Sequence, residues 1–181
     1  MSGMLEQLLT LSRADSHGLT LQITKTDLQT LLLETYENFL PLAADSGHLL
    51  SIRLPEAELP LCDCDQGRIR QVCHILLHNA LSHTPAGSTI LFFIAEGSYE
   101  KEMTVGVQDN GGGIPDGEKE KIFDRFYRIN PDSSSVRQEK GHHGLGLAVA
   151  KEIVSAHRGT LTVSDAPGKG ALFLLTLPLK P

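Results

Sequence analysis

The segment that most constrains this chain is a strand-like run that feeds, without a break, into three glycines. Met103–Gln108 leads directly into Asp109-Asn110-Gly111-Gly112-Gly113-Ile114-Pro115. Consecutive glycines let backbone approach a ligand more closely than any side chain permits. A carboxylate at the end of the strand can accept a hydrogen bond from an exocyclic amine. Taken alone, the same sequence is also an ordinary turn, so other segments have to decide.

Two other segments bear on it. Gly141-His142-His143-Gly144-Leu145-Gly146-Leu147 opens a helical pattern, and glycines at a helix N-terminus leave free N–H groups and a favourable dipole for phosphate. No Lys follows and no strand precedes, which separates the segment from both the P-loop and the dinucleotide fingerprint. The second is His78-Asn79-Ala80-Leu81-Ser82, inside another helix. The Asn79 amide oxygen is a hard donor able to contact Mg²⁺, or else a surface or capping group.

Around these, the chain reads as alternating helices and paired strands. Residues 4–13 form a short helical pattern through Leu5, Leu8, Leu9 and Leu11, too short to stand alone. Asp27 caps a helix through Leu28, Leu31, Leu32, Thr35, Phe39 and Leu42. Strands are expected at Leu49–Leu54 and Leu59–Cys64. Asp65 then caps a helix with an Ile69, Val72, Leu76 and Ala80 stripe, which Thr84-Pro85-Ala86-Gly87 stops. Strands near Thr89–Ala95 and Met103–Gln108 are followed by a short helix over 118–126 and a polar stretch, Asn130–His143. A helix from about Gly144 to His157 and strands at Gly159–Ser164 and Ala171–Leu177 complete the order, which fits an α+β two-layer sandwich.

Composition excludes several classes. The 181 residues suit one ordinary domain, and 40% hydrophobic residues make a core possible. Six Phe, three Tyr and no Trp make that core mostly aliphatic. A net charge of −6 gives no field for nucleic acid, so no nucleic-acid partner is expected. No run approaches the ~20 apolar residues of a membrane span, so no membrane contact is expected of this piece. Cys62, Cys64 and Cys73 do not form a secreted disulfide pattern and read as ordinary buried or half-buried thiols.

Together the motifs resemble the catalytic, ATP-binding domain of sensor histidine kinases, within the gyrase, chaperone Hsp90, histidine kinase and MutL superfamily. Arg68 through Asn79-Ala80 is similar to its N box, Asp109–Pro115 to its G1 box, and Ile122–Arg128 to its F box. Gly144–Leu147 with the helix after it resembles the G2 box, and Gly168–Phe173 the last glycine motif. The resemblance spans about Thr26 to Pro181, with the boxes in family order. It implies the Bergerat fold, a mixed sheet covered on one face by helices, with residues 130–143 as a mobile ATP lid. It implies ATP and Mg²⁺ as ligands, with Asp109 on the adenine amino group and Asn79 on the metal. Gly111, Gly113, Ile114, Phe126, Tyr127 and Ala171 would line the pocket. Gly141, His142, His143, Gly144, Leu145, Gly146 and Leu147 would wrap the phosphates. Arg128 and His83 are the expected catalytic contacts, Arg128 because a guanidinium pairs with phosphate oxygens. Phe123 and Phe126 are also readable as core packing.

The sequence departs from that pattern at two polar positions. Ile75, one turn before Asn79, stands where the hydrolytic members carry Glu and the kinases Asn, so the general base for hydrolysis is missing. Ser82 stands where the kinases often have a cation, with His83 beside it. None of the eight histidines precedes Glu or Asp, so the phosphoacceptor is expected on an upstream helical hairpin. Residues 1–17 would then be the tail of that dimerisation helix and 18–181 the catalytic domain. The expected activity is transfer of the γ-phosphoryl group from Mg·ATP to that histidine, and onward to a response-regulator receiver domain. Release of ADP would leave the domain ready for another ATP, and the parent protein would be a membrane-anchored sensor with this piece in the cytoplasm. The alternative is a regulatory nucleotide-binding module without efficient transfer.

Overall fold

The computed structural model describes residues 8–12, 18–95, 101–129 and 144–180. In chain order the elements are β1 (Thr24–Thr26), α1 (Leu28–Asp45), β2 (Leu49–Arg53), β3 (Cys62–Cys64) and α2 (Gln66–His83). They continue as β4 (Thr89–Ile94), β5 (Glu102–Asp109), 3-10 turns at Asp116–Glu118 and Lys121–Phe123, α3 (Gly146–Ala156), β6 (Thr160–Asp165) and β7 (Ala171–Pro178).

Local chemistry sets the helix starts. The Asp27 carboxylate accepts from the Gln29 and Thr30 N–H groups, satisfying donors that the first turn of α1 leaves open. The Thr30 hydroxyl bonds it as well, which holds the Asp27 carboxyl below its ordinary range. Asp65 does the same for α2, accepting from Arg68 N–H at 3.0 Å. That helix stops at His83, because Thr84 is extended ahead of Pro85.

The main sheet has the order β2-β4-β5-β7-β6, with β2 and β4 parallel and every other pair antiparallel. Along β7, Ala171, Phe173, Leu175 and Leu177 point inward and alternate with half-buried residues, the period of two that a one-sided core requires. Leu31, Leu76, Val149 and Ile153 of the helices are fully buried in the same core as Phe92, Val105 and Leu175 of the sheet. The other sheet face is open: the Arg53 guanidinium lies 5.1 Å from the centre of the Phe93 ring, and the Thr104 and Thr176 hydroxyls meet at 2.9 Å. This is the α+β two-layer sandwich with a mixed sheet. No helix among the described residues is long and apolar enough to cross a membrane.

Three local features differ from the sequence reading. The strand expected over 59–64 shrinks to Cys62–Cys64, since Pro60 has no N–H to contribute to a ladder. It pairs with β1, which the sequence did not signal, in a separate two-stranded sheet. The short helix expected over 118–126 is instead the two 3-10 turns. There the Lys119 ammonium is held between Asp116 at 2.6 Å and Asp165 at 2.8 Å, while Tyr127 Oη donates to Glu118. These tertiary bonds outweigh the weak helical periodicity of the stretch.

One further connection braces the helices. His157, 1% exposed, has Nδ1 2.7 Å from the Ile153 carbonyl and accepts the Asp65 N–H on Nε2 at 3.0 Å. It thereby joins the end of α3 to the start of α2. The three cysteines are fully buried, and burial pushes the Cys73 thiol up to about 12, so it packs rather than reacts. Residues 8–12 are helical, with Leu11 buried in the common core.

Candidate functional site

The site is organised by α2. Near its C-terminal end lies the loop after β5. Asp109 is 7% exposed, and its Oδ1 accepts the Gly111 N–H at 2.8 Å and the Ala171 N–H at 3.2 Å. No described residue donates to Oδ2, which leaves one carboxylate oxygen with open lone pairs. Two neighbours make the fit close. A Cβ on Gly170 would lie 2.0 Å from the Asp109 carbonyl oxygen, and Gly170 has φ +112°. A Cβ on Gly111 would lie 2.6 Å from Thr84 Cγ2. Glycine is therefore required at both positions by packing against protein, whereas the sequence reading expected the Gly111 loop to approach a ligand. Gly113 in turn lies against the Gly170 carbonyl, so the three-glycine loop and the last glycine turn close on each other.

Further along α2 toward its N-terminus lies the start of α3. Ile75 Cγ2 stands 3.3 Å from where a Cβ on Gly146 would be. Leu145, the residue ahead of α3, offers no side-chain cap, unlike the aspartates that begin α1 and α2. Among the described residues, no side chain caps the first N–H groups of α3, which stand at the positive end of its dipole. Asn79, half-buried, is one turn beyond Ile75 on the same stripe of α2, and no described residue bonds its amide. Ile75 and Thr84 are nine residues apart, so the two glycine contacts are separated by ~13 Å along the helix.

The F-box segment closes the second contact. Phe126 N–H donates to the Gly144 carbonyl at 2.8 Å, and both residues have positive φ, 64° and 68°. A Cβ on Gly144 would meet Phe126 backbone at 2.8 Å. Phe123 is buried edge-on against Phe173, but Phe126 is 59% exposed, so the core-packing reading holds for the first ring and fails for the second. Positive φ at Phe126 turns its side chain away from the core. Arg128 and His83 are exposed, Tyr127 and Leu147 half-buried, Leu145 and Ala171 buried, and Ile114 packs at the core margin. Gly141, His142 and His143, with the rest of the stretch from Asn130 on, lie outside the described residues.

Residues 64–181 match the family model described as "Histidine kinase-, DNA gyrase B-, and HSP90-like ATPase". The chain belongs to this family. Among its relatives, the sensor histidine kinase WalK of Bacillus subtilis is 36% identical over 99% of the chain and 29% of WalK. The catalytic domain of the histidine kinase ThkA superposes with a TM-score of 0.73 at 25% identity, covering 88% of this chain and 99% of that one. Full-length ShkA, crystallised with AMPPNP, gives a TM-score of 0.82 at 24% identity over 97% of this chain and 35% of ShkA. The chain spans less than half the length of the curated relatives it matches. As a member of the family it has the Bergerat sandwich. Sequence reasoning missed Thr84, whose methyl lies beside Gly111, and His48, whose Nε2 lies 3.2 Å from the Thr84 carbonyl. Neither carries a motif signal, since their roles exist only once three loops are brought together.

Proposed function

We propose that this domain binds Mg·ATP along α2 and donates the γ-phosphoryl group to a histidine on a helical hairpin outside this chain. The observation that carries the proposal is the arrangement along the C-terminal half of α2, from Ile75 to Thr84. A buried carboxylate with one open oxygen stands at one end, an uncapped helix N-terminus at the other, and an unbonded amide lies between them. Asp109 Oδ2 accepts the exocyclic amino group of adenine, while Gly111 and Gly113 let the base lie close to backbone. The N–H groups of Gly146 and Leu147, with Gly144 and Leu145 forming the turn, receive the phosphates. Phe126, Tyr127, Ile114 and Ala171 border the base and sugar, and Arg128 and His83 are the side chains offered to the phosphates. The sequence places Gly141, His142 and His143 in the same phosphate-binding run.

Asn79 is the residue that would hold a magnesium ion, through a hard amide oxygen that no described residue occupies; when bound, the ion supplies charge neutralisation on the phosphates. The rest of the catalysis is positioning. The acceptor imidazole attacks the γ-phosphorus, the bond to the β-γ bridging oxygen breaks, and ADP leaves. Ile75 puts a methyl against the phosphate turn where a water-activating base would stand, which favours donation over hydrolysis. ShkA was crystallised with AMPPNP and ThkA with the response regulator TrrA, which supports a nucleotide ligand and a receiver-domain partner for the parent of this chain. Residues 1–17 would lead from the hairpin and 18–181 form the catalytic domain.

The test is a longer chain that includes the hairpin, incubated with γ-labelled ATP and magnesium. Acid-labile, base-stable label on the protein is the expected result. Tight nucleotide binding with no transfer would overturn the kinase assignment, and steady phosphate release from the 181-residue chain alone would point to hydrolysis instead.

A further inference from the structure

The Asp109 loop rests on the turn that leaves α1 as well as on its own strand. That turn is fastened to the loop after α2 by three hydrogen bonds: Gly87 N–H to the Gly47 carbonyl at 2.7 Å, Leu49 N–H to the Ser88 carbonyl at 2.9 Å, and His48 Nε2 to the Thr84 carbonyl at 3.2 Å. Only the last is made by a side chain. A carbonyl can only accept, so the ring nitrogen facing Thr84 carries a proton. His48 is 7% exposed, and its Nδ1 lies 3.0 Å from Ser46 Oγ, the hydroxyl that also reaches the Leu42 carbonyl at the end of α1. The imidazole is thus fixed at both nitrogens between the end of one helix and the loop that follows another.

Thr84 passes that restraint on. Its hydroxyl is tied back to the Ala80 carbonyl at 2.8 Å, and its methyl stands 2.6 Å from where a Cβ on Gly111 would be. Gly111 N–H is one of the two donors that orient Asp109 Oδ1. His48, Thr84, Gly111 and Asp109 form a continuous run from α1 to the carboxylate whose other oxygen is open.

We infer that His48 is a positioning residue for base recognition: by holding the Thr84 carbonyl it sets the height of the Gly111 turn and so the direction of Asp109 Oδ2. The inference rests on the nucleotide reading and sharpens it. His48 acts on the base end of the site alone, because the start of α3 is reached through Ile75, farther along α2, and not through the Thr84 loop.

The experiment compares ATP with inorganic tripolyphosphate, which has the phosphates and no base, by calorimetry on the 181-residue chain. His48→Leu removes the donor at similar volume, whereas His48→Gln keeps an amide N–H able to reach the carbonyl. The expected result is about a tenfold weaker ATP affinity in His48→Leu, the worth of one hydrogen bond. Tripolyphosphate binding stays unchanged, and His48→Gln restores most of the ATP affinity. Equal loss for both ligands, or no loss for either in a folded His48→Leu chain, would overturn the inference. If His48→Leu does not fold, Thr84→Ser reads the same run from its other end, since it deletes the methyl and keeps the hydroxyl. A base-dependent loss is again required, and its absence overturns the inference. Wild-type chain that binds tripolyphosphate but gains nothing from the base removes both the inference and the nucleotide reading. An ATP-binding wild type with an indifferent His48 removes the inference alone.

Discussion

Replacing Asp109 by Asn separates what this carboxylate does for the fold from what it does for a ligand. Its two internal bonds both go to Oδ1, from the Gly111 and Ala171 N–H groups at 2.8 and 3.2 Å. An asparagine can present its amide oxygen to the same two donors, so neither buried N–H is orphaned. The second position changes from an acceptor to an NH₂ donor. An incoming amino group then loses a charge-assisted hydrogen bond, which is worth roughly 1.5–3 kcal/mol, and meets a donor in its place. Converted at 1.4 kcal/mol per decade, Asp109→Asn should weaken ATP binding by about 10- to 150-fold, toward the upper figure because of the donor–donor contact. The melting temperature should stay within ~2–4 °C of wild type, the shift that a change of ~1 kcal/mol gives a chain of this size. Asp109→Ala should behave differently: it orphans two buried N–H groups at about 1–3 kcal/mol each and lowers stability and binding together. Calorimetric titration beside thermal melts reads both quantities. Unchanged ATP affinity in a folded Asp109→Asn chain would refute the adenine assignment, and a collapse in stability would refute the account of Oδ1.

Four other substitutions probe separate parts of the structure. Gly170→Ala puts a Cβ 2.0 Å from the Asp109 carbonyl and should abolish nucleotide binding. Gly168→Ala, with φ +88° and open space, should cost only backbone strain of about 1–3 kcal/mol and leave ATP affinity intact in the same titration. Among the described residues His74 Nε2 is buried without a partner, its ring edge-on to Phe39 at 5.1 Å, and burial followed by the nearby Arg70 charge holds its pKa below 6.5. The unfolded chain therefore binds the proton more readily. The stability tied to neutral His74 is present above about pH 6.5 and lost as pH falls below it. His74→Phe should raise the melting temperature at pH 7 by ~2–4 °C and flatten its decline between pH 7 and 5. Asn79→Ala should abolish the gain in ATP affinity that magnesium confers, measured with and without a chelator; a magnesium gain equal to wild type would remove Asn79 as the metal ligand.

What could be read in the sequence was what depends on a few neighbours in the chain. Asp27 and Asp65 announce their helices because a cap works within three residues, and the structure starts α1 and α2 at those positions. The inward residues of β7 show the strand period, and Pro85 fixes the end of α2. The chain Thr24–Thr26 carries no such mark, because its partner, Cys62–Cys64, is remote in sequence and the pairing is a tertiary event. Ile122, Phe123 and Phe126 have spacing that suits one helical face. The segment instead turns Phe126 outward at positive φ, because Phe126 N–H is committed to the Gly144 carbonyl and Lys119 to two aspartates on either side.

The same distinction runs through the site. The sequence reading expected a ligand against the Gly111 loop and phosphate on the turn at Gly144, and took Gly170 only as part of a glycine motif. The structure answers with protein in each case: Thr84 at Gly111, Phe126 backbone at Gly144 and Asp109 backbone at Gly170. These glycines therefore serve first to bring the loops together, and the open Asp109 oxygen and the uncapped N–H groups of α3 follow from that closure. Substituting any one of them should disturb its protein neighbour before it disturbs a ligand. For this reason Asp109→Asn, which leaves every such contact in place, discriminates recognition from assembly better than any glycine variant can.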